Sequence, residues 1–423
     1  MAITVPDMYR LANPVQNYAW GSRSVLAELL GNPAPTAEPE AELWMGAHPS
    51  APSRLVREGA EESLAAAIES APLALLGDAT VARFGARLPF LLKLLAVDQP
   101  LSLQVHPNSD QARDGFADEE ARGIRLDDQR RNYRDPNHKP ELICALTPFE
   151  ALCGLRPAEE IPAILTELGL GELGERNEIS TIISRILQGD DPRRLVGTVL
   201  DRVRGAAPDS PFAASYRSAL KLAERHPDDP GVVISLLLNV IQLQPGQAMY
   251  VPPGRLHAYL RGMGVEIMAT SDNVLRGGLT AKRVDVPGLL SLLEVSCGVP
   301  EVLDGTPDGS GWCGYPTPIV DFALTRACLE DSSVTSAAEG PQILLCVDGP
   351  LAVSGQPFAR GQSVFVPAGE GVDLTGTGTV FRATTGLGRL AAGAGSRVAT
   401  ASPRRTSRGQ DVERRPHRAR RCQ

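Results

Sequence analysis

The sequence predicts a mostly β protein carrying a small α-helical insertion, and three observations support this. The first 155 residues hold short apolar runs, Pro89–Val97, Leu101–Val105 and Glu141–Leu146, set between Pro- and Gly-rich turns, which is the texture of short strands. Between Arg156 and Pro230 the period changes to that of helices, and after Pro230 the strand texture returns. There, Gly246–Gly254 (GQAMYVPPG) aligns without a gap on Gly361–Gly369 (GQSVFVPAG), so one strand-turn unit occurs twice.

Taken along the chain, Leu101–Pro107 comes first. An extended strand sends alternate side chains to opposite faces, so Ser102, Gln104 and His106 share one face and Leu101, Leu103 and Val105 the other. A polar face backed by an apolar one suits the inner wall of a pocket, and a solvent-exposed strand face would read the same way. In His138-Lys139-Pro140-Glu141 the same alternation sets Lys139 beside Glu141 and turns His138 away. Taken alone, a lysine beside a glutamate is a plain ion pair.

The helical stretch follows. Ile179, Ile182, Ile183, Ile186 and Leu187 fall on one helical face, as do Leu195, Val196, Val199, Leu200 and Val203, and then Tyr216, Leu220 and Ala223. Gly189-Asp190-Asp191-Pro192 and the Pro208–Pro211 stretch break it into separate helices. In the repeat, Gly opens a turn, an apolar strand follows, and Pro-x-Gly closes it where Pro costs no ladder hydrogen bond. His257 stands three residues past Gly254, whereas Val372 stands three past Gly369. Only the first copy offers a metal ligand there.

Composition removes several function classes. Gly 41 and Pro 35 in 423 residues, with 43% hydrophobic residues, stay below the roughly 25–30% Gly plus Pro of low-complexity chains. At roughly 150 residues per domain the length suggests about three domains. A net charge of −8 gives the body no electrostatic footprint for nucleic acid or an anionic membrane. The excess of acid is concentrated before residue 388, because the 388–423 segment carries ten Arg against Asp411 and Glu413. Without aromatic residues or an apolar period, that segment reads as a solvated, disordered tail.

Seven Cys without a CxxC spacing argue against a disulfide framework and a thiolate zinc site. The N-terminus lacks a secretory pattern, and no apolar run approaches the roughly 20 residues a bilayer needs. A soluble, cytoplasmic protein is expected. Of the six His, His48, His226 and His417 have no local partner that suggests chemistry and are read as structural or surface residues. No serine or cysteine triad, dinucleotide fingerprint or phosphate loop appears.

Gly-x5-Pro-x-Gly-x2-His over Gly246–His257 is similar to the second cupin motif. Leu101–Pro107, Asn137–Glu141 and Ser271–Thr280 (SDNVLRGGLT), together with Asn13–Gly21 (NPVQNYAWG) and Glu42–Pro49 (ELWMGAHP), resemble the type I mannose-6-phosphate isomerase family. The resemblance spans residues 8–385. It departs from the general cupin motif at Arg261, where that motif places Asn, and it does not reach the Arg-rich tail.

This resemblance implies two cupin-like jelly-roll barrels plus a small helical domain. Residues 1–155 and 231–300 would form the metal-bearing barrel, 156–230 the helical insertion and 301–387 a second barrel without metal ligands. It implies one Zn²⁺ per chain held by Gln104, His106, Glu141 and His257, a mixed N/O set compatible with zinc. Gln104 as a fourth ligand speaks against an iron oxygenase with three protein ligands, the rival enzyme reading, and a sugar-binding or scaffold cupin is the non-enzyme rival.

The implied reaction interconverts mannose 6-phosphate and fructose 6-phosphate through an enediol. Arg276 is the family's active-site arginine, and its permanent charge suits an enediolate oxygen or a phosphate. Lys139 is the expected base, neighbouring positive charge favouring its neutral form, with His138 and Asp272 as alternatives. Lys282 and the Ser102 hydroxyl are candidates for the phosphate. The partner is then a small sugar phosphate, with neither membrane nor nucleic acid expected. The sequence leaves the oligomeric state open, a monomer being compatible.

Overall fold

Among the described residues two antiparallel sheets, of eleven and ten strands, form the framework, with twelve helices around them. The computed structural model describes residues 8–57, 60–174 and 178–388. His417 and nearly all of the Arg-rich segment lie outside the described residues.

The ten-stranded sheet is organised by one long strand, His257–Ala269. Its first residues pair with Phe149–Leu155 and, at His257, with Leu103–Val105. Its remainder, from Gly262, pairs with Phe90–Val97 and Glu141–Ala145. One strand therefore belongs to two layers, and it changes layer where the register shifts between Tyr259 and Arg261. Gly262 makes the change possible. Its φ is 121°, and a Cβ there would lie 2.7 Å from the Pro148 carbonyl oxygen and 2.8 Å from the Phe149 ring. Leu95, Val97, Ile143, Phe149, Met249 and Tyr259 fill the space between the layers.

Phe90–Val97 is buried along its whole length, so it reads as a continuous apolar run rather than an alternating one. Phe90, Leu92, Leu94 and Ala96 enter the core shared with Phe322, Leu324, Ile343, Phe365 and Phe381 of the eleven-stranded sheet. The other parity carries Leu91, Lys93, Leu95 and Val97 to the inner side of the ten-stranded sheet.

The helices expected over Arg156–Pro230 form as Glu160–Glu167, Ile179–Gln188, Pro192–Gly205 and Ala213–Arg225, with a short Gly171–Gly174 turn between the first two. Their buried stripes, among them Ile182, Ile183 and Ile186, then Val196, Val199 and Val203, join one core with Leu103, Val105, Leu152 and Leu275. The helices thus cover the apolar face of the strand whose polar face carries Gln104. The 3.6-residue period and the two-residue period meet at this packing surface.

The sheet membership of the N-terminus departs from the expected boundaries. Tyr9–Ala12 pairs with Ser363–Val366 and with Arg54–Arg57, which pairs in turn with Ala60–Ser63, so these segments lie in the eleven-stranded sheet. The partner is the strand of the second repeat copy, more than three hundred residues away, and nothing local in the sequence marks that pairing. The repeat itself is matched in conformation, since Gly246 and Gly254 have φ of 88° and 82° and Gly361 and Gly369 have 83° and 80°.

Replacing Gly262 by Ala forces a Cβ into the Pro148 carbonyl and a side chain into a positive-φ conformation. The expected cost is about 1–3 kcal/mol, read as a lower denaturant midpoint at unchanged slope; an unchanged midpoint would show that the strand can cross between the layers without glycine.

Candidate active site

Strand register assembles the first row of side chains. Gln104 is paired across the sheet with His257 on one side and with Arg276 on the other. Side chains opposite one another on neighbouring strands lie within reach, so three residues far apart in sequence meet on one inner face. His106 lies two residues beyond Gln104 and shares that face.

The imidazoles are oriented by backbone carbonyls. His106 Nδ1 lies 2.7 Å from the Asn273 carbonyl oxygen, and His257 Nδ1 lies 3.0 Å from that of Arg255. A carbonyl only accepts, so each Nδ1 carries the proton and each Nε2 presents a lone pair. Both Nε2 atoms face the Glu141 carboxylate, at 3.2 Å from Oε1 and 3.2 Å from Oε2 respectively. Burial, helped by the Lys139 charge, lowers the His106 pKa to about 4. Burial opposes ionisation of Glu141, but the Lys139 charge beside it outweighs burial and holds its pKa well below the usual carboxylate range.

Ligand atoms of His106, Glu141 and His257 therefore lie within 4.8 Å of one another, and all three residues are buried. Among the described residues the His106 Nε2 has no hydrogen-bond partner. Two imidazole lone pairs facing a buried carboxylate repel it unless a cation lies among them. Two imidazoles and a carboxylate suit a divalent metal such as zinc. Gln104 lines the cavity beside them.

Lys139 lies where the alternation argument puts it, with Nζ 3.1 Å from Glu141 Oε1. His138 points away and bonds through Nε2 to Asp321 Oδ1 at 2.9 Å. The regular strand begins only at Glu141, but the turn ahead of it keeps the same alternation. Asp272 lies at the cavity wall with Oδ1 3.3 Å from His48 Nε2. Burial raises the Asp272 pKa, and the His48 side chain outweighs that and lowers it. His48 is thus a residue of this cavity, and its reading as merely structural is corrected. Its partner stands 224 positions away in the chain, out of reach of local sequence reading. His226 caps the end of Ala213–Arg225 and borders a different cleft.

The cavity that Gln104 and Lys139 line beside the His106, Glu141 and His257 cluster measures about 520 Å³. One wall carries Tyr18, Trp20 and Trp44. Another carries Arg134, Arg276 and Lys282, with Ser102 also at the surface of the cavity. Burial and then Arg134 lower the Arg276 pKa, while Arg276, burial and Arg134 lower that of Lys282. Like charges drawn together without a carboxylate partner make an anion site.

Sequence reasoning missed four members of this constellation. Arg134 precedes the Asn137–Glu141 motif and is fixed through its backbone N–H, which donates to Asn273 Oδ1 at 2.7 Å. Lys93 is buried on the inner face, with Nζ 3.5 Å from Glu42 Oε2 and 3.2 Å from Glu266 Oε2. Burial disfavours its charge, but Glu42 and Glu266 outweigh that and raise its pKa. Burial raises Glu266 to about 6 against the pull of Lys93. The available signal was a single lysine inside an eight-residue apolar run, FLLKLLAV, since a charge at such a position requires partners.

Comparison with known proteins agrees with this arrangement. Residues 8–158 match the family model described as phosphomannose isomerase type I, catalytic domain. The mannose-6-phosphate isomerase of Escherichia coli (strain K12) is 39% identical over 392 residues, covering 89% of this chain and 99% of the relative. That of Homo sapiens is 31% identical over 417 residues, covering 88% and 96%. Among solved structures, a single-substitution mutant of phosphomannose isomerase from Salmonella typhimurium superposes with a TM-score of 0.84 at 37% identity, covering 90% of this chain and 100% of that one. A zinc-bound holo mannose 6-phosphate isomerase does so with a TM-score of 0.82 at 37% identity and the same coverage. With the metal-ligand cluster, the cation-lined cavity and relatives matched over nearly their whole length, the chain belongs to the type I phosphomannose isomerase family.

Proposed function

We propose that the protein interconverts mannose 6-phosphate and fructose 6-phosphate, with one Zn²⁺ held by Gln104, His106, Glu141 and His257. The observation that carries this reading is the convergence of His106, Glu141 and His257 lone pairs beside a cavity lined by Gln104, Lys139 and the cations Arg134, Arg276 and Lys282. The two sheets are read as two cupin-like barrels, supported by the strand shared between layers and the repeat found once in each sheet. Six unpaired cysteines among the described residues support a reducing, cytoplasmic setting, and a monomer suffices for the site.

In the aldose-to-ketose direction a base removes the proton at C2, the electrons form a C1=C2 bond, and negative charge develops on O1. Transfer of the O2 hydroxyl proton to O1 and return of the abstracted proton to C1, as the C2=O2 bond forms, give the ketose. Zn²⁺, when bound, supplies Lewis-acid stabilisation of the charge that develops on the substrate oxygens. Arg276 places a permanent cation in the same row as Gln104 and His257 and serves an enediolate oxygen or the phosphate. Lys139 is the proposed base, being the titratable side chain that faces the ligand cluster; it accepts the C2 proton as the neutral amine, a form that a bound Zn²⁺ and Arg276 would favour. His138 is committed to Asp321 and Asp272 to His48, which ranks both behind Lys139. Lys282 and Ser102, joined by Arg134, are proposed to hold the phosphate, and Tyr18, Trp20 and Trp44 wall the cavity against water.

Three outcomes follow. Chelation abolishes interconversion and Zn²⁺ restores it; full turnover by protein shown to be metal-free would refute the metal's role. Arg276→Lys keeps the charge but loses the planar fork, so kcat falls about a hundredfold or more with metal content unchanged, and an unaltered kcat would make Arg276 peripheral. Lys139→Ala lowers kcat by about 10²–10⁴-fold, whereas His138→Ala stays within about tenfold of the parent. The reverse order, measured with metal content equalised, would move the base to His138.

A further inference from the structure

Asp229 lies in the turn between the helix Ala213–Arg225 and the short helix Gly231–Ser235, outside the reacting centre. Both of its carboxylate oxygens accept backbone N–H groups. Oδ1 accepts from Gly231 at 2.7 Å, and Oδ2 accepts from Thr280 at 3.0 Å. The two donors come from segments that touch at backbone distance. A Cβ on Gly231 would lie 2.7 Å from the Leu279 nitrogen, and one on Gly278 would lie 2.6 Å from the Gly231 Cα. The carboxylate thus clamps the end of the helical insertion to the segment that follows Arg276.

That segment needs a clamp for two reasons. Leu279 is buried with φ of 55°, a left-handed conformation that is costly for a residue with a branched side chain. Beyond it, Lys282 is held toward a cavity wall that already carries Arg134 and Arg276, and like charges push it outward. The restraint is a chain of hydrogen bonds: Asp229 Oδ2 accepts from Thr280 N, and Thr280 Oγ1 accepts from Lys282 N at 3.1 Å. Leu279, Thr280 and Lys282 line the active-site cavity, while Asp229 and Thr280 line a separate cleft behind the segment.

We propose that Asp229 is a positioning residue for the phosphate end of the cavity, holding the 278–282 segment so that Lys282 meets the substrate phosphate without touching substrate itself. This rests on the phosphate role proposed for Lys282. Asp229 acts on how firmly the phosphate is held, and the proton transfer remains with groups it does not contact.

The test uses the zinc-loaded full chain in three single variants, Asp229→Asn, Asp229→Ser and Lys282→Ala, and the double variant Asp229→Asn with Lys282→Ala. Asn turns an NH2 toward one of the two backbone donors. Ser retains an acceptor for the nearby Gly231 N–H and drops the one for Thr280, so it remains informative if Asn impairs folding. For each, kcat and KM for mannose 6-phosphate, inhibition by inorganic phosphate, zinc content and Tm are measured. In both Asp229 variants KM and the phosphate inhibition constant are expected to rise roughly five- to tenfold, the size of one ordinary net hydrogen bond. Zinc content is expected to hold, and kcat to stay within about twofold. The double variant is expected to be no weaker than Lys282→Ala alone, because the two act on one interaction. Unchanged KM and phosphate inhibition in the Asp229 variants, with both raised in Lys282→Ala, would overturn the positioning role and leave the Lys282 reading standing. Loss of kcat and Tm at constant KM would likewise overturn it, marking Asp229 as merely structural. If Lys282→Ala itself changes neither quantity, the phosphate reading fails and the proposal fails with it.

Discussion

Glu141 sits between two imidazoles that each turn an unprotonated nitrogen toward it, and much of the structure serves to hold that repulsive arrangement. Left alone, a charged carboxylate facing two lone pairs would rotate away, or one ring would flip to donate. The Asn273 and Arg255 carbonyls prevent the flip by fixing Nδ1 as the protonated nitrogen. Asn273 is in turn held by its own side chain. Its Oδ1 accepts from the Arg134 and Asp135 backbones, and its Nδ2 donates to the carbonyls of Asp135 and Asn137. One fully buried asparagine therefore ties His106 to the loop that carries Lys139.

The two faces of a single strand divide the work. On Leu103–Val105 the inner face offers Gln104 to the site, while Leu103 and Val105 enter the core built by the helical insertion. Burial of that outer face contributes the hydrophobic stabilisation that lets the inner face remain polar and strained. Phe90–Val97 repeats the arrangement with Lys93 turned inward and Leu92 and Leu94 packed against the other sheet. The strands that carry the site are anchored by the cores packed behind them.

Charge is arranged in the same economical way. The buried Lys93 is shared by Glu42 and Glu266, and Trp44 donates its indole N–H to Glu42 while its ring lies against the Lys93 ammonium. This satisfied cluster neighbours an unsatisfied one, in which Arg134, Arg276 and Lys282 face the same cavity. The first arrangement completes itself, and the second leaves positive charge concentrated at the cavity.

The residues whose partners lie close in sequence were readable from it. Alternation placed Ser102, Gln104 and His106 together and put Lys139, not His138, beside Glu141. The 3.6-residue period marked Ile182, Ile183 and Ile186, and the repeat located His257. These patterns follow from the geometry of one extended or helical segment, which the chain carries wherever it goes. Tertiary structure decided the rest. It joined Tyr9–Ala12 to Ser363–Val366, brought His48 to Asp272, set Arg134 beside Arg276 and Lys282, and surrounded Lys93 with two carboxylates. Each of these depends on which strands become neighbours, and that is fixed by how whole faces are buried against one another, a property of the assembled sheets that no single stretch of sequence contains.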